Sequence, residues 1–172
     1  MKILKTLFKD LLIIKNQKFI DSRGYFREVL VEKNIKKRFP FNVVSVSKKN
    51  VIRGFHYQEK NSQGKFISVI KGKILDVVID IRKNSKTFGK HYNMILSDKN
   101  CTSIYIPPGF AHGFACLDKI NIVIYSCTKY RDKNSERGIL WNDKSLKVKW
   151  PIKKPIISKK DKNNKSFNFY FG

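Results

Sequence analysis

The chain of 172 residues is long enough for one domain with a hydrophobic core and short for two, and 41% of its residues are hydrophobic, as in a globular protein. Its formal net charge of +24 comes mainly from lysines that are spread from Lys2 to Lys165. Because a nucleic-acid binder gathers its cations on one face, this spread argues against a nucleic-acid partner and suits an anionic small substrate equally well.

Short runs rich in Val, Ile, Phe and Tyr alternate with Gly, Pro, Asn and Asp along the chain, a pattern typical of β-strands. One helix is predicted at residues 32–39, where Pro40 ends it. Strands at near-regular spacing favour an antiparallel sandwich or barrel, so we predict an all-β fold. The predicted strands cover residues 11–16, 43–47, 52–57, 65–70, 73–81, 91–96, 102–106, 112–117 and 121–130, with a tight hairpin at 71–73.

Alternation along these strands predicts which side chains share a face. In the strand 73–81, one face is purely apolar and the other carries Asp76 and Asp80. Because carboxylates are costly in a dry core, we predict a barrel whose interior is a polar-lined ligand cavity. In the strand 52–57, strict alternation puts Arg53 and His56 on opposite faces. In the strand 121–130, it puts Tyr125 on one face with Cys127.

The tail from about residue 151 to 172 is rich in lysine and ends in an aromatic run at 167–171. We expect this run to pack on the barrel or on a partner subunit. Three cysteines form no CxxC pair and leave one over, which argues against a disulfide framework and favours a reducing compartment. No apolar stretch approaches the roughly 18 residues of a membrane span, and lysines interrupt the signal-like start. A cytoplasmic protein without membrane association is expected.

The run Arg53-Gly54-Phe55-His56-Tyr57-Gln58, with Lys65 and Tyr125 further on, combines a base, a cation and a phenol without a nucleophile. This set suits proton abstraction next to a carbonyl, in which histidine takes the proton, lysine stabilises the enolate and tyrosine returns a proton. Taken singly, His56 is equally consistent with a structural core histidine, and Lys65 with a solvated strand residue. The histidines are isolated and no Gly-rich dinucleotide loop is present, so neither a metal nor a cofactor is predicted.

A series of motifs runs in order through the chain: DSRGYFRE at 21–28, VIRGFHYQ at 51–58, DVVIDIR at 76–82, IPPGFAHGF at 106–114, WND at 141–143 and SKKD at 158–161. In this order they resemble the signatures of the dTDP-4-dehydrorhamnose 3,5-epimerase family, from about residue 10 to 161. The resemblance implies one domain over residues 1–172 with a cupin-type double-stranded β-helix, or jelly-roll barrel, and short helices. It also implies a nucleotide-diphosphate sugar as substrate and a homodimer that exchanges an N-terminal strand arm, about residues 1–30.

By position, the resemblance also implies roles for particular residues. His56 matches the catalytic base and Asp161 the carboxylate that pairs with it. Lys65 matches the lysine near the sugar carbonyl, and Tyr125 matches the acid that reprotonates the opposite face. The matched substrate contacts are Arg23, Phe26 and Glu28, which the neighbouring subunit would supply, and Arg53, Gln58, Asp76, His112 and Tyr130.

Two departures from the family pattern concern the nucleotide. The polar Q-x-N pair of thymidine-specific members falls on Phe41 and Val43, and Arg131 stands where a second tyrosine is expected. The expected reaction is 3,5-epimerisation of dTDP-4-dehydro-6-deoxy-D-glucose to dTDP-4-dehydro-L-rhamnose. The alternatives are the same chemistry at C3, C5 or both on a GDP- or CDP-linked 4-keto sugar, including a heptose, and a non-catalytic sugar-binding jelly roll.

Overall fold

The computed structural model describes all 172 residues. Its regular elements are mostly strands, with a few short helices. The prediction of an all-β chain is therefore confirmed. The helices are α1 (Glu32–Ile35), α2 (Lys159–Lys162) and α3 (Phe167–Phe171), and two 3₁₀ turns occupy Lys133–Ser135 and Lys144–Leu146. The strands are β1 (Lys2–Lys5), β2 (Leu12–Lys15), β3 (Phe19–Asp21), β4 (Gly24–Phe26), β5 (Phe41–Lys48), β6 (Ile52–Gln58), β7 (Lys65–Lys71), β8 (Lys73–Asp80), β9 (His91–Ser97), β10 (Thr102–Ile106), β11 (Phe110–Cys116), β12 (Ile120–Cys127) and β13 (Glu136–Gly138).

The strands form two large antiparallel sheets. One has the strand order β1-β2-β10-β7-β12-β5 and the other β13-β6-β11-β8-β9, while β3 and β4 form a separate hairpin. Both sheets contribute to one buried apolar cluster, with Ile67 and Val123 from the first sheet and Val78 and Phe114 from the second. Shared burial of these side chains holds the sheets face to face.

The outer face of the five-stranded sheet carries the apolar residues predicted for β8, including Val77 and Ile79. The C-terminal part of the chain covers them, since Ile139 and Leu146, which precede the tail, and Phe167 within the tail belong to the same buried cluster. The aromatic run therefore lies on the outer face of the five-stranded sheet, and its buried first residue, Phe167, anchors α3. None of the helices is both long enough and apolar enough to cross a membrane.

The helix predicted at 32–39 is shorter, because α1 ends at Ile35. Lys36 adopts the left-handed conformation (φ 56°) and stops the helix. The following turn lets Phe39 pack on the outer face of the six-stranded sheet, where it joins Ile14 and Phe66 in a small buried cluster. Tertiary burial of Phe39 thus overrides the helical pattern.

The predicted strands are present with small shifts, except that the one predicted at 121–130 ends at Cys127. The strands that the sequence did not predict are β1, β3, β4 and β13. Each has only three or four residues. So short a run contains too few residues for a period-2 pattern to be detected.

Candidate active site

A cavity of about 520 Å³ opens between the two sheets. Its lining includes Arg53, His56 and His112 from the five-stranded sheet and Lys65 and Tyr125 from the six-stranded sheet. Because these sheets face each other, the predicted base and the predicted acid approach the cavity from opposite walls.

His56 is held by a carboxylate from the tail. Its Nε2 lies 2.6 Å from Oδ1 of Asp161, which is buried, and Oδ2 of Asp161 accepts a bond of 3.3 Å from the Gly54 N–H. Burial raises the pKa of Asp161, but its bonds to His56 and Gly54 outweigh burial and hold the pKa below its usual value. An ionised Asp161 keeps the proton of the neutral ring on Nε2. His56 Nδ1 is then free to accept a proton.

Arg53 and His56 both line the cavity, although alternation predicted opposite faces. The register of β6 against β11 shifts by one residue between Arg53 and His56. Over this stretch β6 advances by three residues, whereas the paired part of β11 advances by two. A bulge of this kind re-aims one side chain. Gly54 lies within it at φ 121°, and a Cβ there would be 2.5 Å from the backbone of β11. The bulge therefore requires glycine at this position.

Lys65 and Tyr125 lie on adjacent strands and on the same face. In the register of β7 and β12, Lys65 is opposite Cys127 and Tyr125 is opposite Ile67. The Lys65 ammonium donates a bond of 3.4 Å to the His56 carbonyl oxygen. Burial lowers the pKa of Lys65 from its usual 10.5 and raises the pKa of Tyr125 well above its usual 10.0. The phenol therefore stays protonated at neutral pH.

His112 and Asp76 form a second buried pair, in which His112 Nε2 lies 2.7 Å from Asp76 Oδ2. The His112 ring packs edge-on against the Tyr125 ring, with centroids 6.1 Å apart. Asp76 is 1% exposed and is not among the residues that line the cavity, so its predicted contact with the substrate stays a prediction. It lies behind His112, because β8 is the strand next to β11 on the side away from β6. Its charge, a smaller effect than burial, raises the pKa of both Lys65 and Tyr125.

Gln58 and Tyr130 also lie off the cavity lining. The Gln58 amide is buried, donates to the Asn61 carbonyl oxygen and accepts from the Asp132 N–H, so it fixes a loop. Tyr130 is 67% exposed because β12 ends three residues before it, and its ring packs near Phe41 at 6.1 Å.

The three arm residues are not at the cavity of their own chain. Arg23 and Phe26 lie in or beside the exposed hairpin of β3 and β4, and the Arg23 guanidinium pairs with Asp21 at 2.6 Å. Glu28 follows this hairpin in the chain. The resemblance assigned all three to a neighbouring subunit, and that assignment stays a prediction.

Sequence reasoning missed Glu136 and Lys160, which both line the cavity. Glu136 accepts bonds of 2.5 and 3.0 Å from the Arg131 guanidinium and one of 3.1 Å from the Lys160 ammonium. The pKa of Glu136 falls to about 2, mainly because of its hydrogen bonds to Arg131. Glu136 lies on a three-residue strand and Lys160 lies far along the chain, so no local pattern links them.

Comparison with known proteins gives the same family as the motifs. The dTDP-4-dehydrorhamnose 3,5-epimerase family model matches residues 5–168. The dTDP-4-dehydrorhamnose 3,5-epimerase of Shigella flexneri is 41% identical over 97% of this chain and 96% of its own.

Two solved structures are similar throughout. The dTDP-6-deoxy-D-glucose-3,5-epimerase of Legionella pneumophila, in complex with dTDP-4-keto-L-rhamnose, has a TM-score of 0.93 at 38% identity and covers 97% of this chain and 93% of its own. The dTDP-4-dehydrorhamnose 3,5-epimerase of Bacillus anthracis, with TDP and PPi bound, has a TM-score of 0.93 at 37% identity, covering 96% and 99%. With fold, motifs and nearly full-length matches in agreement, this chain belongs to the dTDP-4-dehydrorhamnose 3,5-epimerase family, a family of isomerases.

Proposed function

We propose that the protein converts dTDP-4-dehydro-6-deoxy-D-glucose to dTDP-4-dehydro-L-rhamnose by inverting C3 and C5 without a cofactor. The observation that carries this proposal is the placement of His56 and Tyr125 on opposite walls of one cavity, with Lys65 beside them. Inversion requires a proton to leave one face of the sugar and return to the other. A relative of known structure holds dTDP-4-keto-L-rhamnose, the product of this reaction.

His56 is the base in this proposal. The C3 and C5 protons are acidic only because the C4 carbonyl can take the resulting charge. His56 Nδ1 accepts the proton, and Asp161, at 2.6 Å from Nε2, stabilises the imidazolium that forms. A positioned base of this type contributes about 10²–10⁴-fold to the rate.

Lys65 stabilises the enolate. Its ammonium is the cation in the six-stranded wall of the cavity, and the proposal sets the C4 oxygen of the substrate against it. A fixed cation in a site of low dielectric stabilises charge that develops in the transition state without reorganising at that moment.

Tyr125 returns a proton from the other wall. Because burial raises its pKa, the phenol is protonated and can donate to the enolate carbon. The His112 ring, fixed by Asp76, packs against the Tyr125 ring and holds its orientation. Once His56 has released its proton to solvent and Tyr125 has taken one up from solvent, the same steps at the second carbon invert the other centre.

Deuterium exchange tests the proposal. The protein is incubated in D₂O with dTDP-4-dehydro-6-deoxy-D-glucose, and the C3 and C5 protons are followed by NMR. Loss of both signals with formation of the L-rhamno product is expected. Exchange only with a GDP- or CDP-linked sugar would reassign the nucleotide, which is a relevant comparison because the apolar residues Phe41 and Val43 line the cavity. No exchange with any of these sugars would favour a sugar-binding jelly roll.

Lys65 is expected to set the alkaline limit of activity. Because burial lowers its pKa below 10.5, the stabilising ammonium is present at neutral pH and is lost as the pH rises through the lowered value. We expect kcat/KM to fall on the alkaline side before pH 10.5. Lys65→Arg keeps a cation to higher pH and should remove this fall, whatever its activity at neutral pH. A pH–rate profile with an unchanged alkaline fall in Lys65→Arg would assign the fall to another group.

We further propose that the fold is a cupin-type jelly roll which works as a homodimer with exchanged arms. The hairpin of β3 and β4 exposes apolar side chains, with Ile20 77% and Phe26 67% exposed, as expected of a segment that a second copy covers. A cytoplasmic location agrees with the three free cysteines.

Subunit mixing tests the arm exchange. Arg23→Ala and His56→Ala homodimers are both expected to be nearly inactive. After joint refolding, a heterodimer would contain one site with an intact base and an intact partner arm, so about a quarter of the wild-type activity should return by random pairing. If refolding recovers no activity while wild-type protein survives the same treatment, the arms do not complete the neighbour's site.

A further inference from the structure

Asp161 reaches the barrel from a segment with little structure of its own. It lies on α2, which contains only the four residues Lys159–Lys162. A helix of this length is unstable in isolation. The backbone on either side forms one bridge to the barrel at Ile156 and another at Lys165. Between these bridges, the position of Asp161 depends on the side-chain contacts of α2.

Glu136 supplies such a contact from the barrel. In the register of β13 and β6, Glu136 is opposite Gln58 and Gly138 is opposite His56, so Glu136 lies on the same face as His56. Its carboxylate is the least exposed member of an ionic cluster, at 22%, compared with 48% for Arg131 and 61% for Lys160. Arg131 binds it with two nitrogen atoms, a geometry that fixes its orientation.

We propose that Glu136 is a positioning residue for His56: by binding Lys160 it fixes α2, and α2 presents the neighbouring Asp161 to the imidazole. This inference rests on the proposed function, in which His56 is the base. Arg131 follows β12, the strand that carries Tyr125. The Glu136 carboxylate therefore connects this strand to α2, the helix that carries Asp161.

The ionic contact is present throughout the working pH range. With the pKa of Glu136 at about 2, held there by Arg131 and Lys160, the carboxylate stays charged well below neutral pH. Glu136 also lines the cavity, so direct contact with the substrate is the competing role. A substrate contact made equally in the ground and transition states changes KM, whereas misplacement of the base changes kcat.

The kinetic test uses Glu136→Gln and Lys160→Met, with Lys159→Met as the matched control on the same helix. We expect kcat to fall about 10- to 100-fold in Glu136→Gln, because small displacements of a reacting group have effects of this size, with little change in KM. Lys160→Met should lower kcat in the same direction, Lys160→Arg should restore it, and Lys159→Met should leave it unchanged because Lys159 is exposed.

The NMR signal of the His56 ring N–H that bonds to Asp161 gives a readout that needs no turnover. It is assigned by its loss in Asp161→Asn, and we expect it to broaden or disappear in Glu136→Gln and Lys160→Met. If no sugar is exchanged by the wild type, the proposed function fails, but this signal still tests the link. The link is overturned by an unchanged kcat in Glu136→Gln, by an effect on KM alone, or by a lower kcat with an unchanged signal. If Glu136→Gln fails to fold, the comparison of Lys160→Met with Lys160→Arg decides in its place.

Discussion

Replacement of His56 by alanine is expected to lower kcat/KM by about 10²–10⁴-fold and to abolish deuterium exchange at both C3 and C5. Both exchanges should disappear together, because His56 is the base for both centres in the proposed mechanism. His112 is also paired with a carboxylate, that of Asp76, but its side chain is only 3% exposed and packs on Tyr125, whereas the side chain of His56 is 40% exposed. The measurement is the NMR exchange assay in D₂O, alongside steady-state kinetics.

Asp161→Asn is the companion variant for this prediction. It keeps the size of the side chain but removes the charge that stabilises the imidazolium, so exchange should become slow without disappearing. Thermal unfolding of both variants checks that the fold is intact. Wild-type turnover by folded His56→Ala would show that the base is another group, and the proposed mechanism would then be wrong.

Tyr125→Phe is expected to separate proton removal from inversion. His56 and Lys65 are unchanged in this variant, so the C3 and C5 protons should still be replaced by deuterium. The proton can no longer return from the six-stranded wall, so the sugar should keep its configuration and product formation should fall by about 10²-fold or more. NMR distinguishes the two results, because the D-gluco and L-rhamno forms have different coupling constants.

Phenylalanine is a close control for packing at this position. The Tyr125 ring contacts His112 and Phe114 at centroid distances of 6.1 and 6.2 Å, and phenylalanine can keep both contacts. A loss of inversion therefore reports on the hydroxyl group. Inversion by Tyr125→Phe at the wild-type rate would remove Tyr125 from the mechanism, and loss of exchange as well would show that the phenol also assists the first step.

The amino-acid sequence by itself determined the class of fold and the family. Both depend on local signals, namely the two-residue period of strands such as β8 and the ordered motifs around Arg23, His56 and His112. Burial of the apolar face of β8 also followed from its alternation, and the structure covers this face with the aromatic tail. Signals of this kind are contained within a few neighbouring residues.

Only the tertiary structure decided how the side chains meet in the cavity. The bulge at Gly54 brings Arg53 to the face of His56, and the order of strands places Asp76 behind His112. Likewise, Glu136 meets Lys160 only because β13 and the tail pack at the same edge of the five-stranded sheet. Each of these contacts joins residues whose separation in space is set by strand register and packing. Those quantities depend on the whole folded chain, so no local pattern of residues carries them.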